Sequence, residues 1–209
     1  MPISVNPPWR TLETWSARAF FIAGGAWAID AILNVSELVV DITIPGAVFG
    51  VLILAALISK MAGVLGFYRP IADRSGRLAL AGAIPIVIAG ILALITVVWV
   101  AVAGLMNQSL PPGAFLVVDV VLIVLGLLLF GVASIRTDAP SRMCGVLVLA
   151  LVATFLVWLA GVGGLYAFPD WSSAAFGTVL SVLSLAVGYV RQTSSVPTEC
   201  GEQSSDIAT

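Results

Sequence analysis

Two long apolar runs joined by a short charged segment constrain this chain more than any other feature. The runs are Gly46–Phe67 and Leu78–Val102. Each is longer than the roughly 20 residues that an α-helix needs to cross a hydrocarbon core about 30 Å thick. The segment between them, Tyr68–Arg77, carries three arginines. The pattern predicts two membrane-spanning helices that form a hairpin around a basic connection.

Four further apolar runs extend this pattern along the chain, over about residues 19–38, 114–134, 143–164 and 172–190. The chain is 60% hydrophobic and only 10% charged, whereas soluble domains carry about 25% charged residues. A chain of this composition lacks the polar surface that a soluble domain needs. We therefore predict an all-α fold, a polytopic membrane bundle of six transmembrane helices arranged as three hairpins.

The flanking segments are polar. Residues 1–17 form a short N-terminal lead, residues 18–191 form the transmembrane domain, and residues 192–209 form a tail rich in Ser, Thr and Glu. Such a composition predicts a disordered tail. The triplet Ala26-Trp27-Ala28 in the first run also resembles a small-residue cleavage site. Removal of the first span as a secretory signal is therefore an alternative to six retained spans.

The basic residues outside the spans are confined to every second connection and to the two ends: Arg10, Arg18, Arg69, Arg74, Arg77, Arg136, Arg142 and Arg191. The charged residues of the alternate connections are all acidic: Glu37, Asp41 and Asp170. Basic residues accumulate on the cytoplasmic side of membrane proteins. The distribution predicts a multi-pass protein of the cell membrane with both termini in the cytoplasm.

Three ionisable residues lie inside the apolar runs: Asp30, Lys60 and Asp119. A charge at the centre of a bilayer costs about 3 kcal/mol or more on insertion scales, so such residues are candidates for function. Asp30 and Asp119 fall in the outer halves of their spans, and we hypothesise that they converge in one outward-facing polar pocket. Two isolated acids near the interface are the alternative. Lys60 lies roughly 10 Å from the inner end of its span, and its long side chain is expected to snorkel toward that interface.

The sixth run carries a regular series of small residues at spacings of three and four: Ser173, Gly177, Ser181, Ser184 and Gly188. Positions at these spacings share one face of a helix. Small residues let helix backbones approach closely in membranes, which predicts a packing face. A polar pathway along the serines is the alternative interpretation.

The sequence lacks the side chains that several kinds of chemistry require. The chain has no histidine, which excludes imidazole bases and histidine-ligated metals. Cys144 and Cys200 have no metal-binding spacing. Ser59 and Lys60 are neighbours on a helix and point in different directions, so they do not form a nucleophile–base pair. The sequence predicts no enzyme, no cofactor and, without a basic surface, no nucleic-acid partner.

The stretch Leu65–Gly82 has a Gly-Phe-Tyr helix end, an Ala-Asp connection, then Arg-Leu-Ala and a glycine. It resembles a pattern in small uncharacterised multi-pass membrane proteins of haloarchaea. The resemblance covers the second hairpin only, and it implies a location in the cell membrane without implying an activity.

The functional prediction is a non-enzymatic membrane scaffold or stress-related component. Its expected partners are the lipid bilayer and either further copies of the chain or another membrane protein. The alternative is a small secondary transporter or channel whose path uses Asp30 and Asp119, together with Lys60. A cavity that connects the two acids and is lined by serines would favour transport, and a filled bundle with the two acids at its rim would favour the scaffold.

Overall fold

The computed structural model describes residues 8–40, 42–106, 113–162, 169 and 171–194. This part of the chain forms six α-helices and no strand: α1 (Pro8–Val40), α2 (Gly46–Leu65), α3 (Tyr68–Met106), α4 (Gly113–Thr137), α5 (Arg142–Val162) and α6 (Ser172–Ser194). Each helix contains a stretch long and apolar enough to cross a membrane. The predicted all-α architecture with six membrane-spanning helices is confirmed.

The basic segment between the second and third runs is more helical than a simple connection. The turn at Gly66 and Phe67 is followed at once by α3, so most of Tyr68–Arg77 is helical. The backbone leaves helical geometry at Ser75, with φ −157° and ψ 86°. A serine hydroxyl can hydrogen-bond to nearby backbone groups outside a helix, which favours a break at Ser75. α3 therefore consists of a short polar helix and a long apolar one.

Other helix ends also extend beyond the apolar runs, because polar residues can continue a helix outside the hydrocarbon. α1 begins at Pro8 within the predicted polar lead, and α6 ends at Ser194, inside the predicted tail. The prediction of a disordered tail concerns mainly residues 195–209, which lie outside the described residues. Asp41, Asp170 and Cys200 also lie outside them.

The helices follow one another around the bundle, and the last one returns to the first. α1 has its most extensive contacts with α6 and α2, while α4 packs between α3 and α5. Smaller contacts between α5 and α6, and between α2 and α3, join these two groups of three. Consecutive helices therefore pack as predicted, but the largest interface joins the two ends of the sequence.

The surface and the interior of the bundle are both apolar. Fully buried side chains include Phe20, Phe67 and Phe130. Large aliphatic side chains are exposed along the outer faces, among them Ile22, Ile29, Val51, Leu94 and Val157. A soluble protein rarely exposes such continuous apolar surface. These faces are suited to contact with lipid chains.

Arginines gather at one end of the bundle, here called the basic end. Glu13 near the start of α1 contacts Arg69 at the start of α3 and Arg191 near the end of α6. Arg74 Nη1 donates to the carbonyl of Thr137 at the end of α4. The beginning of α1 and the end of α6 therefore lie at the same end, as an even number of crossings requires.

Candidate intramembrane site around Lys60

Lys60 occupies the centre of the bundle. It lies on the inward face of α2, and only 1% of its surface is exposed. Its Nζ is 4.9 Å from the ring centroid of Phe155 in α5 and 5.5 Å from that of Trp27 in α1. The ammonium group therefore faces two aromatic rings from different helices.

Aliphatic side chains close the other sides of the lysine. Leu57, Met61 and Val64 flank it on α2, Ile86 comes from α3, and Ile123 and Leu127 come from α4. The space among these side chains is too narrow for a water molecule. Five of the six helices thus surround Lys60 directly, and they leave the centre of the bundle filled.

The two rings beside Lys60 belong to a larger group, the aromatic cluster, formed by Trp27, Phe155, Trp158 and Phe176. Phe176 of α6 meets Trp27 and Phe155 edge to face, each with centroids 5.8 Å apart, and stacks on Trp158 at 5.6 Å. Such arrangements are favourable for aromatic pairs. The aromatic cluster connects α1, α5 and α6 and holds two ring faces in position against the lysine.

The donors at this centre lack acceptors. Neither Lys60 Nζ nor Trp27 Nε1 has a hydrogen-bond partner in the described part of the chain. A desolvated cation–π contact contributes about 2 kcal/mol, whereas removing an ion from water costs several kcal/mol. The aromatic faces thus offset only part of the cost of a charged Lys60. An unpaired ionisable group inside a membrane bundle is a candidate functional residue.

The expected snorkelling of Lys60 is wrong. Its side chain is enclosed by protein and does not extend to an interface. α2 is apolar on all sides, so its sequence pattern does not determine which face points inward. Packing against the neighbouring helices therefore sets the direction of Lys60.

Asp30 lies in the contact between α1 and α6. It is buried, and Asn34 Nδ2 donates to its carbonyl oxygen at 2.8 Å and to its Oδ2 at 3.3 Å. Its Oδ2 is also 3.2 Å from the position that a Cβ of Gly177 would take. The absence of a side chain at Gly177 therefore makes room for the carboxylate.

Asp119 is buried as well. It belongs to α4, and its Oδ1 has no hydrogen-bond partner among the described residues. Asp119 and Asp30 belong to different helices, α4 packing between α3 and α5 and α1 packing between α2 and α6, and their convergence in one polar pocket stays a prediction. Neither acid forms an ion pair with Lys60, whose Nζ is unpartnered.

The small-residue series of α6 faces α1. Ser181 and Ser184 are buried, as are the two glycines. A Cβ on Gly188 would lie 3.1 Å from the Ala17 carbonyl oxygen, which shows how closely the backbones approach. Ser173 is exposed and does not belong to this face. The packing interpretation is thus supported for four of the five residues, and the polar pathway stays an untested alternative.

A groove of about 450 Å³ opens between α5 and α6 at the end away from the basic end. Its walls include Thr154, Val157, Trp158, Trp171 and Phe176. The groove is lined almost entirely by apolar surface. A surface of this kind in a membrane protein is suited to lipid chains.

The sequence did not single out the aromatic partners of Lys60 or the double role of Glu13. One signal was present for Trp27, which lies in the middle of its apolar run although tryptophan usually gathers at membrane interfaces. The positions of Phe155 and Glu13 relative to their partners depend on contacts between distant helices, which a single sequence does not reveal.

In the part of the chain that the structure describes, six helices that can cross a bilayer, together with their apolar outer faces, are those of a multi-pass membrane protein. No protein-family model, curated protein or solved structure matches the chain. Any more specific assignment rests on the geometry of the bundle itself.

Proposed function

We propose that this chain is a non-enzymatic component of the cell membrane that acts through its helices, as a scaffold within the bilayer. The observation that carries the proposal is the filled centre around Lys60, where the remaining space does not hold a water molecule. A channel in its conducting state needs a continuous polar path. The tightly packed α1–α6 interface and the apolar outer faces are features of a stable helical framework.

This proposal places both termini in the cytoplasm and takes the bilayer as the principal partner, with other copies or another membrane protein as further partners. The apolar outer faces of the helices support contact with lipid and with other helices. Non-enzymatic action is proposed because the sequence offers no nucleophile paired with a base.

A flux assay tests the proposal. The purified full chain would be reconstituted in lipid vesicles that carry a proton, potassium or chloride gradient, and the decay of each gradient would be followed. We expect decay at the rate of vesicles without protein. Faster decay with wild-type protein would contradict the scaffold proposal.

A small secondary transporter is the second candidate, and one observation favours it. Lys60 is an unpartnered ionisable group enclosed by five helices, and intramembrane charges of this kind commonly mark transport pathways. Transport would require a second conformation in which the packing around Lys60 opens.

Substitution of Lys60 by Met in the flux assay distinguishes this candidate, because transport through the centre should then stop. Arg142→Gln at the exposed basic end is the control and should leave transport unchanged.

A further inference from the structure

The basic end contains one carboxylate between two guanidinium groups. Glu13 Oε1 is 3.4 Å from Arg191 Nη2, and Glu13 Oε2 is 3.8 Å from Arg69 Nη1. The single negative charge of Glu13 therefore neutralises only one of the two positive charges, which leaves a local excess of positive charge. The three residues belong to α1, α3 and α6, so the excess lies where the ends of these helices meet.

Arg191 and Arg69 differ in their exposure and in the donors that they can offer to a ligand. The Arg191 side chain is only 7% exposed, and its Nε has no hydrogen-bond partner among the described residues. It is held in the bundle and keeps Glu13 in place. Arg69 is 40% exposed and makes the longer of the two contacts with Glu13. Its guanidinium group thus retains donors that can reach a further acceptor from outside the bundle.

The basic end, to which Arg69 belongs, has the side chains of a membrane interface. Trp15 on α1 is exposed, and Arg18 lies over its ring at 4.8 Å. Exposed tryptophan and arginine near the ends of membrane helices are typical of the headgroup layer. In the described part of the chain, the basic side chains at this end are Arg18, Arg69, Arg74, Arg77, Arg136, Arg142 and Arg191, and the acidic ones are Glu13, Asp73 and Asp138.

We propose that Arg69, with Arg191 and Glu13 behind it, forms a binding site for the phosphate group of an anionic lipid headgroup. A guanidinium group can donate two parallel hydrogen bonds to phosphate oxygens, which suits it to this ligand. Basic pockets between membrane helices on the cytoplasmic side bind lipid headgroups in this way. Free phosphate has the same chemistry, but the exposed apolar faces of the helices supply a surface for the acyl chains of a lipid only.

Native mass spectrometry of the full chain tests the proposal. The protein would be released from mixed micelles that contain equal amounts of phosphatidylglycerol and phosphatidylcholine, and the bound lipids would be counted. We expect a preference for phosphatidylglycerol in the wild type and at least a tenfold loss of that preference in Arg69→Gln. Arg142→Gln is the matched control, because Arg142 is exposed at the same end and pairs with Asp138. It should retain the preference.

Three results would overturn the site. One is a wild-type protein without preference, and another is an equal loss in both variants, which would indicate general surface charge. The third is inorganic phosphate that displaces phosphatidylglycerol from the wild type at matched concentration, which would assign the site to the free ion. Arg69→Lys, which keeps the charge but removes the paired donors, should show an intermediate preference. Circular dichroism of each variant confirms that the helices are intact.

Discussion

At the scale of single residues, the burial of Lys60 without an ionic partner is the feature that most needs a physical account. The lysine has no acid within ion-pair distance in the described part of the chain, and its Nζ contacts the faces of Trp27 and Phe155. Its aliphatic carbons fill the space between Leu57 and Ile123 as a hydrophobic side chain would. Lys60 thus contributes packing through its methylene groups, while its amino group opposes burial.

This division predicts opposite effects for two substitutions of Lys60. Burying a charged group costs several kcal/mol, and apolar residues of similar volume in its place are often stabilising, so Lys60→Met should raise the midpoint of thermal unfolding in detergent. Lys60→Ala should lower it, because truncation of a buried side chain leaves a cavity that costs about 2–5 kcal/mol. A lower midpoint for Lys60→Met than for the wild type would show that the amino group has a favourable partner.

Asp30 and Asp119 are both buried acids in membrane helices, but they differ in their hydrogen-bond partners. Asp30 accepts a hydrogen bond from Asn34 and occupies the space beside Gly177. Asp119 retains an unpartnered Oδ1. The sequence placed the two acids at similar depth, but depth does not determine the direction in which a side chain points.

At the scale of helices, close backbone approach sets the packing of α4 against α5. A Cβ on Gly145 would lie 2.8 Å from the carbonyl oxygen of Gly131 and 3.0 Å from the backbone nitrogen of Ile135. Backbone atoms cannot rotate away as a side chain can. The position therefore requires glycine, and helix separation depends on it.

Substitution of Gly145 by alanine should move α5 away from α4. We expect Gly145→Ala to destabilise the protein by about 1–3 kcal/mol, the usual cost of overpacking, measured as a lower midpoint of thermal unfolding in detergent. Gly25→Ala in α1 is the matched control, since a Cβ there meets no atom within 4 Å, and alanine has the higher helix propensity. Its midpoint should be unchanged or slightly raised, and an equal loss in both variants would contradict the role of close approach.

At the scale of the whole molecule, the arrangement of charges defines two different ends. Arg69 of α3 and Arg191 of α6 meet at Glu13 of α1, and Arg74 joins the same end to α4. Segments far apart in the sequence are thus brought together by an even number of crossings. The positive-inside rule predicts that this end faces the cytoplasm.

Topology reporters test that assignment. A reporter that is active only in the cytoplasm should be active when it is fused after Thr209 and inactive when it is fused after Ser109, between the third and fourth spans. Arg74→Cys, in a chain with both native cysteines replaced, should react with an impermeant thiol reagent only after the membrane is opened. Labelling of this cysteine in intact cells would contradict the predicted orientation of the protein.

The sequence by itself determined the class of protein, because the length and apolarity of each run leave a bilayer-spanning helix as the only state that satisfies its backbone hydrogen bonds in lipid. It also determined which connections are basic, since that depends only on their composition. The direction of Lys60, the different hydrogen-bond partners of Asp30 and Asp119 and the meeting of α1 with α6 were decided by the tertiary structure. Helices that are apolar on every side can be rotated without changing their hydrophobic pattern, so contacts between helices choose the faces that meet.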